Sequence, residues 1–256
     1  MGLFACTGSG SGIGANLVSA LRSSGHDVIT TDLTEADILA DLSHATGRER
    51  AIKQILKRSP QGLDGFIPAA GVGRGLATST QITSVNYFGT VDLIDGLKPA
   101  LQKKKGAVVL LGSNSAHMVK ERLSYTQALL RGDESLALSL AAELSDAVCY
   151  MLGKRALIRW MRLNVMKFGR EGIRINLVAP GPISTPMTEA ILDQENYRVA
   201  LDEMINATPL PRVGTTTEVK DAILFLLSSE SSFVNGSVLH VDGGFHAHSE
   251  RYDLRT

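Results

Sequence analysis

The sequence predicts one α/β domain over residues 1–256, with a doubly wound Rossmann fold in which helices cover both faces of a central parallel sheet. Three observations favour this fold class. Short apolar runs rich in strand-forming residues alternate with amphipathic stretches along the whole chain. The first apolar run leads directly into a glycine-rich turn and then a helical pattern. A chain of 256 residues can also bury one sizeable core.

The individual elements follow from the hydrophobic periodicity. We expect strands at residues 3–6, 28–31, 66–69, 107–111, 173–178 and 238–241. We expect helices at residues 13–23, 46–56, 84–103 and 150–168. The first helix ends before Gly25 and the last near Gly169, since glycine is common just past a helix C-terminus.

Three segments depart from this regular alternation. Only eight residues separate Asp32 from Asp41, too few for a turn, a covering helix and another strand, so we expect one helix to be missing there. Residues 118–147 contain a charged break at 131–134 followed by a leucine and alanine run, and they predict an inserted helical flap. Residues 187–212 predict a flexible substrate lid.

Composition excludes several classes of partner. Twenty-six basic residues balance twenty-six acidic ones, which favours neither nucleic acid nor a membrane surface, so we expect a small-molecule partner. The only cysteines, Cys6 and Cys149, suggest buried structural thiols rather than a disulfide framework or a metal cluster, and we expect no metal. The start lacks signal-peptide features and no apolar run approaches ~18 residues, which predicts a cytoplasmic protein.

The glycine-rich turn predicts nucleotide binding. Gly8, Gly12 and Gly14 follow the first strand and open the first helix, where a glycine backbone can turn tightly and approach a pyrophosphate at the helix N-terminus. The binding candidates in this turn are Gly8, Ser11, Gly12 and Ile13. Because no Lys-Ser or Lys-Thr pair follows, the turn is not a Walker loop.

An acidic residue at the end of the second strand predicts the kind of nucleotide. Asp32 lies 18 residues beyond Gly14, where its carboxylate can accept hydrogen bonds from ribose hydroxyls and would repel a 2′-phosphate. We therefore expect NAD rather than NADP. Asp41 and Leu42 are candidates to flank the adenine, although Asp41 is equally consistent with a polar turn residue before the next helix.

A tyrosine and a lysine four residues apart predict the chemistry. Tyr150 and Lys154 share one face of a helix and can point into the same cleft. An ammonium beside the phenol is expected to lower the pKa of the tyrosine. Tyr150 would then serve as a general acid for carbonyl reduction and a general base for alcohol oxidation.

Seven motifs together resemble the short-chain dehydrogenase/reductase family. They are T-G-S-G-S-G-I-G, A-A-G, V-N-Y-F-G, L-G-S-N-S, Y-M-L-G-K, N-L-V-A-P-G-P-I-S-T-P and V-D-G-G, and they span essentially the whole chain. The resemblance implies that Ser113 hydrogen-bonds the substrate oxygen, with Ser115 as runner-up, and that Asn86 holds a water that connects Lys154 to solvent. Either serine could instead cap the following segment.

The resemblance also implies residues around the two ends of the cofactor. Ile183 and Thr185 would contact the nicotinamide carboxamide, although Pro-Gly-Pro before them is also a plain turn signal. Ala70 and Gly71 would pack against adenine and ribose through their main chain, while Ala69 replaces the family's second asparagine and removes its side-chain hydrogen bonds.

One spacing departs from the family pattern. Ser113 and Tyr150 are 37 residues apart because of the insertion, against about a dozen in most members. The helix that carries Tyr150 commonly forms the oligomer interface in the family, so a dimer or tetramer is implied whose interface the insertion could block or replace.

The short 32–41 connection, the A-D-L-S phrase and the insertion resemble the bacterial 3α-hydroxysteroid dehydrogenase/carbonyl reductase branch of the family. We therefore expect an NAD-dependent oxidoreductase acting on an apolar, cyclic secondary alcohol or its ketone. The alternatives are a dehydrogenase of a non-steroid alicyclic or aromatic alcohol and, from another class, a non-catalytic NAD-binding sensor. Apolar lid residues are candidates to contact substrate or simply to form core: Met187, Ile191, Leu192, Tyr197 and Met204.

Overall fold

The structure is a computed structural model that describes residues 1–191 and 195–250, without the side chain of residue 196. Leu192, one of the lid candidates, therefore lies outside the described residues. No described helix is both long and apolar enough to cross a membrane.

A seven-stranded parallel sheet forms the centre of the molecule, in the order β3-β2-β1-β4-β5-β6-β7. This confirms the Rossmann-type fold class. The strands are β1 Leu3–Thr7, β2 Asp27–Asp32, β3 Ile38–Leu39, β4 Gly65–Pro68, β5 Ala107–Leu111, β6 Arg174–Pro180 and β7 Val238–Val241. The helices are α1 Gly12–Ser23, α2 Ala45–Arg58, α3 Ser79–Thr83, α4 Gly89–Lys104, α5 Leu123–Arg131, α6 Glu134–Ala142, α7 Asp146–Arg170, α8 Pro186–Glu189, α9 Glu195–Asn206, α10 Thr216–Leu227 and α11 Phe245–Ser249.

The core consists of one apolar cluster on each face of the sheet. Alternate residues of β5 show the division, because Val108 and Leu110 belong to one cluster whereas Val109 and Leu111 belong to the other. Side chains of a strand alternate between faces, so a strand buried on both sides is apolar at every position. All five residues of β5 are buried, which is why its run of apolar residues predicted a strand with the correct bounds.

The connection from β2 to β3 contains no helix, as expected from its length. Residues 33–37 join two parallel strands directly, and β3 pairs with Thr31 and Asp32 at the edge of the sheet. The turn is held by Asp37, whose Oδ2 accepts hydrogen bonds from the backbone N–H of Thr30 at 2.9 Å and from its hydroxyl at 2.7 Å. The strand β3 itself was not predicted, since two residues carry no periodicity.

The insertion forms two helices, α5 and α6, which meet at Gly132 in a left-handed conformation with φ of 73°. Its inner side is part of the core. Tyr125 is buried and its hydroxyl lies 2.8 Å from that of Thr83. The buried Arg48 forms ion pairs with Asp92 at 2.8 Å and with Glu134 of the insertion. The predicted flap is therefore a packed helical hairpin.

Candidate active site

A cleft runs along the C-terminal edge of the sheet, where parallel strands commonly present ligand-binding loops. Sixteen of the predicted site residues line it, whereas the other described candidates, Ser115, Ile191, Tyr197 and Met204, do not. The sixteen are Gly8, Ser11, Gly12, Ile13, Asp32, Asp41, Leu42, Ala70, Gly71, Asn86, Ser113, Tyr150, Lys154, Ile183, Thr185 and Met187.

The glycine turn has a conformation that other residues would disturb. Gly8 and Gly12 have φ of 65° and 54°, in the left-handed region. A Cβ on Gly8 would lie 2.5 Å from the backbone nitrogen of Ala70, and one on Gly14 would lie 2.0 Å from the carbonyl oxygen of Gly8. The side chain of Ser11 does not cap α1, so it leaves the first N–H groups of that helix to a ligand in the cleft.

Two acidic residues lie at the far end of the cleft from Tyr150. Asp32 accepts the backbone N–H of Gly10 at 2.8 Å and that of Leu33 at 2.7 Å, which holds its carboxylate at the end of β2. The Oδ1 of Asp41 accepts the hydroxyl of Ser43 at 2.6 Å and its N–H at 2.9 Å, and these bonds lower the pKa of Asp41. Asp41 therefore makes the turn before α2 and also lines the cleft.

The Tyr150 and Lys154 side chains lie together in the cleft. They come from α7, which begins at Asp146, four residues before the predicted start, because the side chain of Ser145 caps it through the N–H of Val148. Lys154 is buried, and its Nζ donates to the carbonyl of Leu111 at 2.7 Å and lies 5.7 Å from the centre of the Tyr150 ring. Burial lowers the pKa of Lys154 to about 8.

The structure corrects the expected effect of Lys154 on the phenol. Burial raises the pKa of Tyr150, and the groups that oppose this rise are the guanidinium of Arg74 and the hydroxyl of Ser113. The ammonium of Lys154 is directed at the Leu111 carbonyl instead. Arg74 was not recognised from the sequence. The available signal was a lone basic residue between Gly73 and Gly75, just beyond the motif at the end of β4.

The two candidate serines occupy different positions. The hydroxyl of Ser113 lines the cleft, lies 2.9 Å from that of Ser115, and accepts the N–H of Ser115 at the start of a short 3-10 turn, Asn114–His117. Ser115 is buried and is not part of the cleft lining. Ser113 is thus both a cap and a group that faces the cleft, which favours it over Ser115.

Asn86 lies in a π-helical turn, Ser84–Phe88, which interrupts the predicted helix 84–103. The interruption accompanies two hydrogen bonds between its side-chain amide and the main chain of Val72, one of 2.8 Å and one of 2.9 Å. These bonds fix the segment after β4 beside Gly71. Single π turns inside helices occur frequently at functional sites.

The loop after β6 and the lid border the opposite wall of the cleft. Thr185 caps α8 by accepting the N–H of Thr188 at 3.2 Å, and the hydroxyl of Thr188 donates to the carbonyl of Ile183 at 2.7 Å. Met187 lies against Gly73, where a Cβ would be 3.0 Å from the Met187 Cγ.

Tyr197 and Met204 of α9 contact neighbouring loops. The Tyr197 ring packs on Gly75 with Arg74 5.3 Å from its centre, so the structure places it at the rim rather than in the cleft lining. The Met204 sulfur accepts a long contact of 3.9 Å from Asn114. Of the lid candidates, Met187 is therefore the one that lines the cleft among the described residues.

Comparison with known proteins identifies the family to which the chain belongs. Residues 4–148 match the family model described as short chain dehydrogenase. The chain belongs to the short-chain dehydrogenase/reductase family. Residues 145–246 match a second model, described as Enoyl-(Acyl carrier protein) reductase. The resemblance read from the motifs is thereby confirmed, and this member of the family is an oxidoreductase of alcohol and carbonyl groups.

Three relatives show which members of the family are similar. A 3-alpha-hydroxysteroid dehydrogenase/carbonyl reductase of Comamonas testosteroni is 33% identical over 96% of this chain and 97% of its own. A coniferyl-alcohol dehydrogenase of a Pseudomonas species is 33% identical over 93% of this chain and 94% of its own. The crystal structure of a 3-alpha-hydroxysteroid dehydrogenase from Pseudomonas sp. B-0831 in complex with NADH has a TM-score of 0.94 and 40% identity, covering 98% of this chain and 99% of that one.

Proposed function

We propose that this enzyme interconverts an apolar, cyclic secondary alcohol of the 3-hydroxysteroid type and its ketone, with NAD as cofactor. The observation that carries the proposal is that one cleft joins the glycine turn and Asp32 to Ser113, Tyr150 and Lys154. Similarity to two 3α-hydroxysteroid dehydrogenases over nearly the whole chain supports the substrate class.

The residues of the cleft fit NAD. The N–H groups at the start of α1 would bind the pyrophosphate, and the carboxylate of Asp32 would accept hydrogen bonds from the adenosine ribose. Among the described residues that line the cleft, the one cationic side chain is Lys154, whereas Asp32 and Asp41 are acidic, which favours NAD over a cofactor with a 2′-phosphate. Ala70 and Gly71 would contact adenine and ribose, and Ile183 and Thr185 the carboxamide.

When bound, the cofactor supplies or accepts a hydride at the carbon that carries the substrate oxygen. Ser113 would donate a hydrogen bond to that oxygen. Tyr150 would give it a proton during ketone reduction and take the proton of the alcohol during oxidation. Lys154 would bind the nicotinamide ribose beside the phenol, and Asn86 would complete a proton relay through a water at the π turn.

The experiment that tests this function measures turnover by purified enzyme with NAD⁺ or NADP⁺, following the absorbance of reduced nicotinamide. The panel contains 3α- and 3β-hydroxysteroids, substituted cyclohexanols and coniferyl alcohol. Turnover of a 3-hydroxysteroid with NAD⁺ is expected. The second candidate function is a dehydrogenase of a smaller, non-steroid alcohol, which the similarity to the coniferyl-alcohol dehydrogenase favours. Activity confined to coniferyl alcohol or cyclohexanols would support this candidate and contradict the steroid proposal.

The catalytic roles are tested with paired variants. Tyr150→Phe is expected to lose about 10²-fold or more in kcat, because it removes the proton-transfer group, while NADH affinity is retained. Tyr197→Phe removes a phenol at the rim of the same cleft and should keep kcat within a few-fold. Ser113→Ala should lose more kcat than Ser115→Ala. NADH binding without turnover of any alcohol would instead indicate an NAD-binding sensor.

A further inference from the structure

Three histidines meet outside the cleft described above, near the C-terminal ends of β5 and β7. His117 ends the 3-10 turn that follows β5, His240 lies in β7, and His246 lies in α11. Their nearest candidate ligand nitrogens all lie within 4.8 Å of one another. Three segments that are distant in the chain therefore place three imidazoles at one point.

The three imidazole rings contact one another, and the planes of His240 and His246 are stacked at an angle of 9°. The centroids of His240 and His246 are 3.8 Å apart, and those of His117 and His246 are 4.5 Å apart. Two nitrogens on one tetrahedral zinc ion, each bonded at ~2.0 Å, are roughly 3.3 Å apart. Binding of one ion would therefore require rotation about the side-chain bonds that separates the stacked rings of His240 and His246 and brings the nitrogens closer together.

A second observation points to a ligand at this cluster. The Nδ1 of His240 is buried and has no hydrogen-bond partner, which is uncommon for a buried polar atom. It lies 3.9 Å from Oδ2 of the buried Asp242. A cation bound at this nitrogen would supply the partner that it lacks, and the nearby carboxylate would add negative charge beside the ion.

Asp242 is itself held in place. Its Oδ1 accepts the N–H of Gly244 at 3.0 Å and its Oδ2 accepts the N–H of His246 at 2.8 Å. The same carboxylate therefore fixes the turn that positions His246 and faces His240. His117 is exposed whereas His240 and His246 are half-buried, so the cluster is open to an ion from solvent on the side of His117.

We propose that His117, His240 and His246 form a binding site for a divalent transition-metal ion of the zinc type. Imidazole nitrogens suit zinc, copper and nickel rather than magnesium or calcium. Three protein ligands leave the fourth position of a tetrahedral ion to water. Although the two cysteines gave no reason to expect a metal, the three histidines provide a complete ligand set without them.

A metal at this site would cross-link three parts of the molecule. It would join α11 and β7 to the turn that begins at Ser113. The adjoining Gly243 carbonyl accepts the N–H of Leu210 at 3.0 Å, so the lid is anchored at the same place. The metal is expected to stabilise this corner of the cleft rather than to take part in hydride transfer.

The test uses full-length protein freed of any histidine tag and of metal by EDTA, then titrated with ZnCl₂ by isothermal calorimetry. One Zn²⁺ per chain is expected. At a concentration of a hundred times Kd, the melting temperature is expected to rise by roughly 5 to 10 °C. Co²⁺ in place of Zn²⁺ should give the intense visible absorption of a four-coordinate ion.

Variants of the more accessible ligands keep the test independent of folding. His117→Gln and His246→Gln are each expected to weaken Zn²⁺ binding by about 10-fold or more, and the double variant by about 100-fold. His44→Gln removes a histidine far from the cluster and should leave Kd unchanged. Zn²⁺ binding with a Kd above about 100 μM, or binding that the double variant retains, would overturn the proposal.

Discussion

Replacement of Gly12 by alanine separates the cost of backbone strain from the cost to cofactor binding. Gly12 has φ of 54°, a left-handed conformation that costs an L-residue about 1 to 2 kcal/mol. The nearest atom to an added Cβ is Thr185 Cγ2 at 3.7 Å, so the methyl group meets no protein atom closely and projects into the cleft. We therefore expect Gly12→Ala to fold, with a free energy of unfolding lower by about 1 to 2 kcal/mol.

The effect on NADH should exceed this strain. The methyl group would displace the pyrophosphate from the N–H groups of α1, and one lost hydrogen bond to a charged group, at about 1.5 to 3 kcal/mol, corresponds to a Kd that is roughly 10- to 150-fold higher. NADH fluorescence titration measures Kd, and urea unfolding measures stability.

The matched control is Gly25→Ala. Gly25 has φ of 80° and nothing within 4 Å of an added Cβ, and it lies outside the cleft. It should lose the same stability and keep wild-type NADH affinity. The reasoning is refuted if Gly12→Ala binds NADH within about 3-fold of wild type, a difference of only about 0.7 kcal/mol, or if Gly25→Ala weakens binding equally.

Three further predictions follow from single contacts. Asp32→Ser should raise the kcat/KM ratio of NADP⁺ over NAD⁺ by about 10-fold or more, because a carboxylate about 4 Å from a phosphate costs about 1 to 4 kcal/mol. Between pH 8 and 10 the unfolded chain binds a proton that buried Lys154, with a pKa of about 8, has released. The unfolding free energy of wild type, measured in urea, should therefore rise with pH relative to Lys154→Met. Tyr125→Phe removes the 2.8 Å contact with Thr83 and should lower that free energy by about 1 to 2 kcal/mol, with NADH affinity unchanged.

Each of these predictions has a specific contrary result. Asp32→Glu keeps the charge and should not gain NADP⁺ activity; an equal gain would show that charge does not decide the preference. Parallel pH profiles for wild type and Lys154→Met would contradict the lowered pKa. Tyr87→Phe is the control for Tyr125, because the buried Tyr87 hydroxyl has no hydrogen-bond partner and its removal should cost nothing. An equal loss of unfolding free energy in both variants would show that the Thr83 contact does not stabilise the fold.

The parts of the site that are local in the chain were predictable. The glycine turn, Asp32 and the pair Tyr150 and Lys154 depend on spacings within one strand, turn or helix, and the structure brings them into one cleft. The absence of a helix between β2 and β3 was predictable from the small number of residues between Asp32 and Asp41. The strand β3 did not, because two residues give no pattern.

The features that were missed depend on tertiary contacts. The π turn at Asn86 accompanies bonds to Val72 that no helical periodicity encodes. The influence of Arg74 on Tyr150 acts between a loop after β4 and the helix α7. His117 and His240 are brought together only by the order of β5, β6 and β7 in the sheet. No sequence spacing could have indicated that cluster.

The absent helix between β2 and β3 leaves one end of the cleft without a cover. At Leu33, Ala40 and Asp41 the cleft continues into a shallow surface groove beside Gly47 and Arg50. Leu33 and Leu39 are exposed there. If the adenine of bound NAD lies beside Asp41 and Leu42, as proposed, a linker on its amino group would extend to solvent through this groove. The enzyme is in that respect suited to use cofactor that is permanently attached to a resin, an electrode or a neighbouring enzyme.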